Sequence, residues 1–252
     1  MGTAWERLYC GAPPDPATLL ERWNLDPAVL LGLAGAAAWI ILRGPGRGRG
    51  RLLGAVAVLA VLFVSPLCAL TSALFSARSA HHLLLVAAAA PLLASGLAAS
   101  GRSLRIPVGP GAAASLHTAV FWSWHAPALY AAALGHVALY WLMQATLLGS
   151  AVLVWRRVLA PRADVLSALL ALVGLVVQMG FLGAVLTFAR APLYAPHLLT
   201  TAAWGLSPLE DQQLAGLLMW APGMLPYLCA AMLILMRALA DRDGEGLAWS
   251  RS

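Results

Sequence analysis

Residues 164–189 read DVLSALLALVGLVVQMGFLGAVLTFA, and this run decides the fold class. It contains one charged residue, Asp164, and is longer than the roughly 20 apolar residues with which an α-helix crosses a bilayer. The whole chain has the same character, because 61% of its residues are hydrophobic and 10% are charged. Soluble domains are only about half apolar. The sequence therefore predicts a polytopic membrane protein.

Seven stretches approach the crossing length. A chain inside lipid has to satisfy its own backbone hydrogen bonds, and these stretches are apolar on every face, so we predict an all-α bundle of seven transmembrane helices. The predicted spans are residues 27–42, 52–75, 80–99, 112–134, 137–155, 164–189 and 213–239. Residues 1–26 then form a periplasmic segment, and residues 240–252 form a cytoplasmic tail.

Arginines orient these spans. The chain contains no lysine, and its net charge of +6 comes from 16 arginines. Arginines concentrate in cytoplasmic loops, which predicts an outer N-terminus and a cytoplasmic C-terminus. The arginines predicted on the cytoplasmic side are Arg43, Arg47, Arg49, Arg51, Arg102, Arg105, Arg156, Arg157, Arg162, Arg237, Arg242 and Arg251. The four predicted to face outward are Arg7, Arg22, Arg78 and Arg190.

Composition also excludes several classes of protein. A retinal protein needs a lysine amine for its Schiff base, and none is present. No basic stripe interleaved with aromatic residues indicates a nucleic-acid partner. Cys10, Cys68 and Cys229 are far apart and form no CxxC pair, so we expect neither a disulfide nor a zinc site. The first 25 residues lack the apolar core of a signal peptide, so the first span is expected to remain in the protein.

The segment FWSWHAPALY at residues 121–130 is the most promising chemically. His125 lies at membrane depth, where an unpaired polar group costs several kcal/mol and therefore needs a partner. It is either a functional residue or a structural one that bridges two helices. Trp122 and Trp124 are expected to pack or to anchor the interface. Pro127 is expected to kink the helix and free a carbonyl near residue 123.

The predicted topology gathers potential metal ligands in the outer half. His81 and His82 open the third span, His136 closes the fourth, and His125 lies about 16 Å deeper than His136 at 1.5 Å per residue. Met143 and Met219 enter from the same side, and His197 lies in an outer loop, whereas His117 falls in the cytoplasmic half. Imidazole and thioether groups suit copper, and imidazole also suits haem iron.

Each of these residues also has an ordinary structural interpretation. His81 and His82 point about 100° apart on a helix, so one is expected to be a ligand and the other a headgroup-level residue. Methionines are more often core filler than ligands. Glu210 and Asp211 fit the first turn of a helix capped by Ser207. A role of Asp211 and the adjacent Gln212 in binding a partner is the alternative.

Several motifs together carry a family resemblance. They are His82-Leu83-Leu84-Leu85 with Pro91, Trp122-Ser123-Trp124-His125-Ala126-Pro127 with Tyr130, Leu186-Thr187-Phe188-Ala189 with Pro192-Leu193-Tyr194, and Pro208-Leu209-Glu210-Asp211-Gln212-Gln213 running through Gly216 to Trp220. Over roughly residues 66–236 the chain resembles the CtaG family of cytochrome c oxidase assembly factors associated with caa-type oxidases.

The resemblance implies a seven-helix protein of the bacterial inner membrane that helps to make an active haem-copper oxidase through copper. His82, His125 and His136 are then the implied copper positions. One departure from the family pattern concerns the position four residues before His82, where a second histidine often stands. Here that residue is Arg78, which cannot be a metal ligand.

The leading hypothesis is a non-enzymatic factor that accepts copper on the outer side, from a periplasmic donor, and delivers it to an oxidase subunit in the membrane. The metal ligands predicted for it are His82, His125, His136, His81, Met219 and Met143. Three alternatives remain at this point: a copper permease, a membrane haem protein with His82 and His125 as axial ligands, and a purely structural partner of the oxidase.

Overall fold

The computed structural model describes residues 8–44, 46–100, 107–160 and 163–249, with side chains described as far as residue 240. This part of the chain is all-α and contains no strand. The α-helices, in chain order, are α1 (Pro27–Arg43), α2 (Arg49–Val64), α3 (Pro66–Ala73), α4 (Phe75–Leu84), α5 (Ala90–Ala99), α6 (Pro110–His125), α7 (Pro127–Gly135), α8 (Val137–Val158), α9 (Val165–Thr187), α10 (Pro208–Trp220) and α11 (Leu225–Trp249). A π-helical turn, Leu85–Ala89, joins α4 to α5.

Several of these helices are long and apolar enough to cross a membrane. Within the described residues four qualify by length and composition, and the bent pair of α2 and α3 makes a fifth span if it is counted as one. The four are Phe75–Ala99, Val137–Val158, Val165–Thr187 and Pro208–Ala240. Large apolar side chains such as Leu170, Val177 and Phe181 are exposed on α9, as a lipid-facing surface requires. The multi-pass, all-α class is therefore confirmed.

Five of the seven predicted spans correspond to helices that are long enough to cross a membrane. The five helical spans coincide with the predicted spans 52–75, 80–99, 137–155, 164–189 and 213–239. The two other predicted spans fall on shorter helices, namely the 17-residue α1 and the pair α6 and α7. Seven crossings and the orientation of the termini therefore stay predictions.

Proline divides two of the predicted spans. Pro66 begins α3 and Pro127 begins α7, and in each case the preceding residue, Ser65 or Ala126, is extended. A proline has no N–H and disfavours the helical conformation in the residue before it. The predicted break at Pro127 is confirmed. Ser65 then caps α3 by accepting a hydrogen bond from the Leu67 amide.

A third proline explains the π-helical turn. The amide of Ala90 donates to the carbonyl of Leu85, five residues earlier, and in the same register the carbonyl of Val86 would need the nitrogen of Pro91. Because that nitrogen carries no hydrogen, the carbonyl takes another donor, the Trp155 indole Nε1 at 2.8 Å. A side chain on α8 thus completes the backbone of the helix that carries the histidines.

A disulfide joins Cys10 to Cys68, with the two Cα atoms 5.3 Å apart. The expectation that no disulfide forms was therefore wrong. The N-terminal segment folds back over α3, and this pairing, 58 residues apart in sequence, leaves no local spacing motif. Hydrogen bonds also hold the segment, among them those from Asn24 Nδ2 to the Phe63 carbonyl and from Trp204 Nε1 to the Pro14 carbonyl.

The bundle has two chemically different ends. We call the end that contains the disulfide the disulfide end, and the other the arginine end. At the arginine end the loop after α1 packs against the end of α5 through Gly48 and Gly96, and the ends of α8 and α9 meet α11 beside Arg237. Arg7, Arg102, Arg105, Arg162 and Arg251 lie outside the described residues, as does the side chain of Arg242.

The disulfide gives a direct chemical prediction. Protein isolated from its membrane and denatured without a reductant should bind one maleimide label per chain, at Cys229, the free cysteine. After reduction it should bind three. Mass spectrometry of the intact chain counts the labels, and Cys229→Ser is the control that should bind none before reduction. Three labels before reduction would contradict the pairing.

Candidate functional site

The site begins at the first turn of α4, which is capped from another helix. The Asp211 carboxylate on α10 accepts hydrogen bonds from the Phe75 amide at 2.6 Å, from the Ser76 amide at 3.1 Å and from the Ser76 hydroxyl. A carboxylate at a helix N-terminus satisfies free amides and complements the helix dipole. Asp211 is fully buried. The expectation that it serves the first turn of its own helix was incomplete, since it caps α4.

This cap sets the depth of the histidine pair. Because α4 begins at Phe75 rather than near residue 80, His81 and His82 lie almost two turns inside the helix and are both buried. Both rings are enclosed by the bundle, and a headgroup-level position for one of them stays a prediction. The two rings leave α4 in different directions, and both point into the bundle.

His82 and His125 meet across α4 and α6. Their ring centroids are 5.8 Å apart with the planes nearly perpendicular. His82 is 1% exposed, and neither of its ring nitrogens has a hydrogen-bond partner. Buried polar atoms are nearly always paired, so a histidine with two unpaired nitrogens at this depth marks a place for a ligand or water.

The neighbouring histidines also present lone pairs. His125 Nδ1 donates to the Phe121 carbonyl at 2.7 Å, which leaves its Nε2 as the basic nitrogen. His81 Nε2 donates to the Leu62 carbonyl at 3.2 Å, and its Nδ1 has no partner. The rings of His81 and His82 are 5.9 Å apart. Backbone carbonyls thus fix the tautomers of the two histidines on either side of His82, as hydrogen-bond partners of metal-binding histidines do.

Arg78 lies one turn above His82 on the same helix. It is 2% exposed and therefore lies inside the bundle rather than in an outer loop, and its predicted place on the outer side of the membrane stays a prediction. Its guanidinium lies over the Tyr140 ring at 5.3 Å and beside the hydroxyls of Tyr130 and Tyr140. Its Nε and Nη1 have no hydrogen-bond partner. A charged group therefore borders the histidine pair.

The loop between α9 and α10 covers this cluster at the disulfide end. Tyr194 stacks on Phe75, with centroids 3.7 Å apart, and its hydroxyl donates to the His125 carbonyl at 2.8 Å. That carbonyl is one that the break before Pro127 leaves free. Burial raises the pKa of Tyr194, so its hydroxyl remains a donor.

His197 in the same loop is buried as well. Burial, and then the charge of Arg78, lower the pKa of His197 from its usual 6.5 to about 4, against the effect of a hydrogen bond to the Ala73 carbonyl. The ring is therefore neutral at pH 7. It donates from Nδ1 to the Ala73 carbonyl and accepts the Tyr130 hydroxyl at Nε2, at 2.6 Å.

Residues 211–213 explain the motif that begins α10. Asp211 reaches α4, Gln212 Oε1 accepts from the Leu193 amide at 2.6 Å, and Gln213 Nε2 donates to the Ala189 carbonyl at 3.5 Å. Three consecutive side chains thus join α10 to α4, to the covering loop and to the segment after α9. Glu210 forms the expected capping box with Ser207.

The other predicted ligands are placed differently. His136 is exposed at the junction of α7 and α8 and lines a pocket of about 540 Å³ with Tyr9 and Asp26, away from the buried histidines. Met143 and Met219 are fully buried in the hydrophobic core, the ordinary place for methionine. As copper ligands, His136, Met143 and Met219 stay predictions.

Trp122 and Trp124 pack as expected. Trp122 stacks on Phe181 at 5.7 Å, and Trp124 Nε1 donates to the Thr146 hydroxyl at 2.9 Å.

Gln144 was not among the predicted site residues, but it is 2% exposed and its amide atoms have no partner. The sequence signal that could have identified Gln144 is a side-chain amide at membrane depth, seven residues into α8. His117 pairs with Ser150 at 2.8 Å.

The histidine pair offers few metal ligands. Among the described residues no group of three or more His, Cys, Asp or Glu side chains is placed to hold a metal ion. The histidine pair is therefore unlike a closed structural zinc site, which has four ligands. Two imidazoles fit a metal that accepts low coordination.

The fold and the site define a multi-pass, all-α membrane protein with a histidine pair buried beneath an aromatic loop. The family model described as cytochrome c oxidase caa3 assembly factor (Caa3_CtaG) matches residues 51–241. The chain belongs to this family, and the resemblance of its motifs is confirmed. No curated protein and no solved structure matches the chain.

Two adjacent carboxylates provide a matched test of the cap on α4. Asp211→Asn should lower the free energy of unfolding by about 2 kcal/mol, because the variant places amide hydrogens against buried donors. Glu210→Gln, at the exposed capping box, should have a much smaller effect. Thermal unfolding in detergent compares them, and equal destabilisation would contradict the capping role of Asp211.

Proposed function

We propose that this protein binds copper(I) between His82 and His125 and delivers it to a subunit of a caa3-type cytochrome c oxidase during assembly. One observation carries the proposal: the two rings are 5.8 Å apart, and the two nitrogens of His82 are buried without partners. Membership in a family of oxidase assembly factors supplies the biological setting.

The ligand chemistry favours copper(I) as cargo. Imidazole binds copper well, and thioethers, should Met143 or Met219 contribute, select the monovalent ion. A site with two strong ligands leaves positions through which a recipient's own ligands can attack. As the recipient's ligands bind the ion, the copper–imidazole bonds to His82 and His125 break. No covalent bond of the protein changes, so the transfer needs no catalytic residue.

The disulfide supports entry from the periplasmic side. Disulfides persist in oxidising compartments and are rare in the cytosol. The Cys10–Cys68 disulfide lies at the same end as the loop that covers the histidines. Arginines at the opposite end favour a cytoplasmic position for that end. On this basis we place the chain in the bacterial inner membrane, with the copper pair in its outer half.

The alternatives have less support from the packing. A haem between His82 and His125 needs a porphyrin-sized slot, but the Phe121 ring lies 4.3 Å from His125 and the Phe75 ring 6.5 Å from it. A permease needs ligands that continue inward. His117 is two turns below His125 on α6, and Phe121 packs between the two.

The test is metal content and absorption spectrum of detergent-purified protein after loading with copper(I). The wild type should retain about one copper per chain and show no haem absorbance. His82→Ala and His125→Ala should each lose most of it, because one imidazole cannot hold the ion alone.

His117→Ala is the matched control, since it also removes a buried histidine from the bundle, and it should retain copper. Equal copper in the wild type, His82→Ala and His125→Ala would overturn the proposed site. A haem spectrum would instead support the alternative in which His82 and His125 are the axial ligands of a haem. Full oxidase activity in cells carrying either variant would favour a purely structural partner.

A further inference from the structure

Arg78 carries a positive charge that the interior does not neutralise by an ion pair. Within the described residues no carboxylate lies within ion-pair distance of its guanidinium, and its Nε and Nη1 have no hydrogen-bond partner. The guanidinium also lies over the face of the Tyr140 ring. A buried arginine in a membrane protein usually pairs with an acid or with backbone carbonyls.

The nearest candidate counter-ion is already used. Asp211 is the fully buried carboxylate at the same end of α4, and its two oxygens accept from the amides of Phe75 and Ser76 and from the Ser76 hydroxyl. Its negative charge therefore complements the N-terminus of α4. Asp211 therefore does not cancel the charge of the guanidinium, which acts on any charge held beside His82, one turn further along α4.

On the proposed function, the charge held beside His82 is a copper cation. Arg78 and His82 are four residues apart on α4, so their side chains leave the same face of the helix, with about 6 Å between neighbouring positions. The rings of His81 and His125 flank His82 on either side. A charge on Arg78 is therefore close to a metal ion held by His82.

We propose that Arg78 sets the copper affinity of the His82–His125 pair by electrostatic repulsion, keeping it low enough for the ion to be released to its recipient. This inference rests on the proposed function and adds the residue that regulates it. Two unit charges about 6 to 10 Å apart at an effective dielectric constant of about 20 repel strongly enough to weaken binding by about 10- to 100-fold.

The role is that of a tuning residue rather than a ligand. A guanidinium has N–H donors and no acceptor, so it repels a metal ion without binding it. Tyr130 and Tyr140 hold the group in place through their hydroxyls and the ring face. Removing the charge should therefore tighten the site without adding a ligand.

The experiment measures copper(I) dissociation constants by competition with a chromogenic copper(I) chelator, on detergent-purified full-length protein. Arg78→Gln should bind copper(I) about 10- to 100-fold more tightly than the wild type. Arg78→Met removes the charge in an unbranched apolar side chain and should tighten binding similarly. Arg78→Lys keeps the charge and should stay within a few-fold of the wild type.

Arg190→Gln is the matched control, because it removes an exposed arginine from the loop that covers the site, and its affinity should not change. Thermal unfolding identifies which variants are folded. One folded neutral variant, Arg78→Gln or Arg78→Met, is enough to test the repulsion. Unchanged or weaker binding in a folded neutral variant would overturn the repulsion while leaving the copper site intact. Failure of the wild type to bind copper(I) would instead overturn the proposed function, and this inference with it.

Discussion

The Asp211 carboxylate, crossing from α10 to the first turn of α4, is the contact on which the rest of the site depends. It fixes where α4 begins, and the start of α4 fixes the depth of His81 and His82. Breaks in membrane helices expose backbone groups that lipid cannot satisfy, so each break needs a partner from elsewhere in the chain. Here those partners converge from the other helices onto the site.

Three side chains, at different depths of the bundle, each satisfy backbone groups at a break or irregular turn of a helix. Asp211 satisfies the amides that begin α4, Tyr194 satisfies the His125 carbonyl beside the break at Pro127, and Trp155 satisfies the Val86 carbonyl in the π-helical turn. Irregular backbone at membrane depth is tolerated where protein buries it, and it commonly lines a functional cavity. The copper proposal places the histidine pair among these irregularities.

Much of the fold was predictable from the sequence, because apolar length and proline are local signals. The all-α class and the break at Pro127 follow from them, and the family resemblance singled out His82 and His125. The Cys10–Cys68 disulfide and the burial of Arg78 were missed, since both depend on how distant segments fold together. Sequence position had placed Arg78 in an outer loop between two predicted spans, which gave no sign of its burial. Its actual environment required the α4 start at Phe75, five residues before the predicted span.

The central claim is that two imidazoles, one on α4 and one on α6, form the copper site. X-ray absorption spectroscopy at the copper edge, on protein loaded with copper(I), tests it most directly because it counts and identifies the ligands. We expect a low-coordinate shell that contains two imidazole nitrogens, and His82→Ala and His125→Ala should each lose one of them. A shell built only of sulfur, or one that neither variant changes, would contradict it.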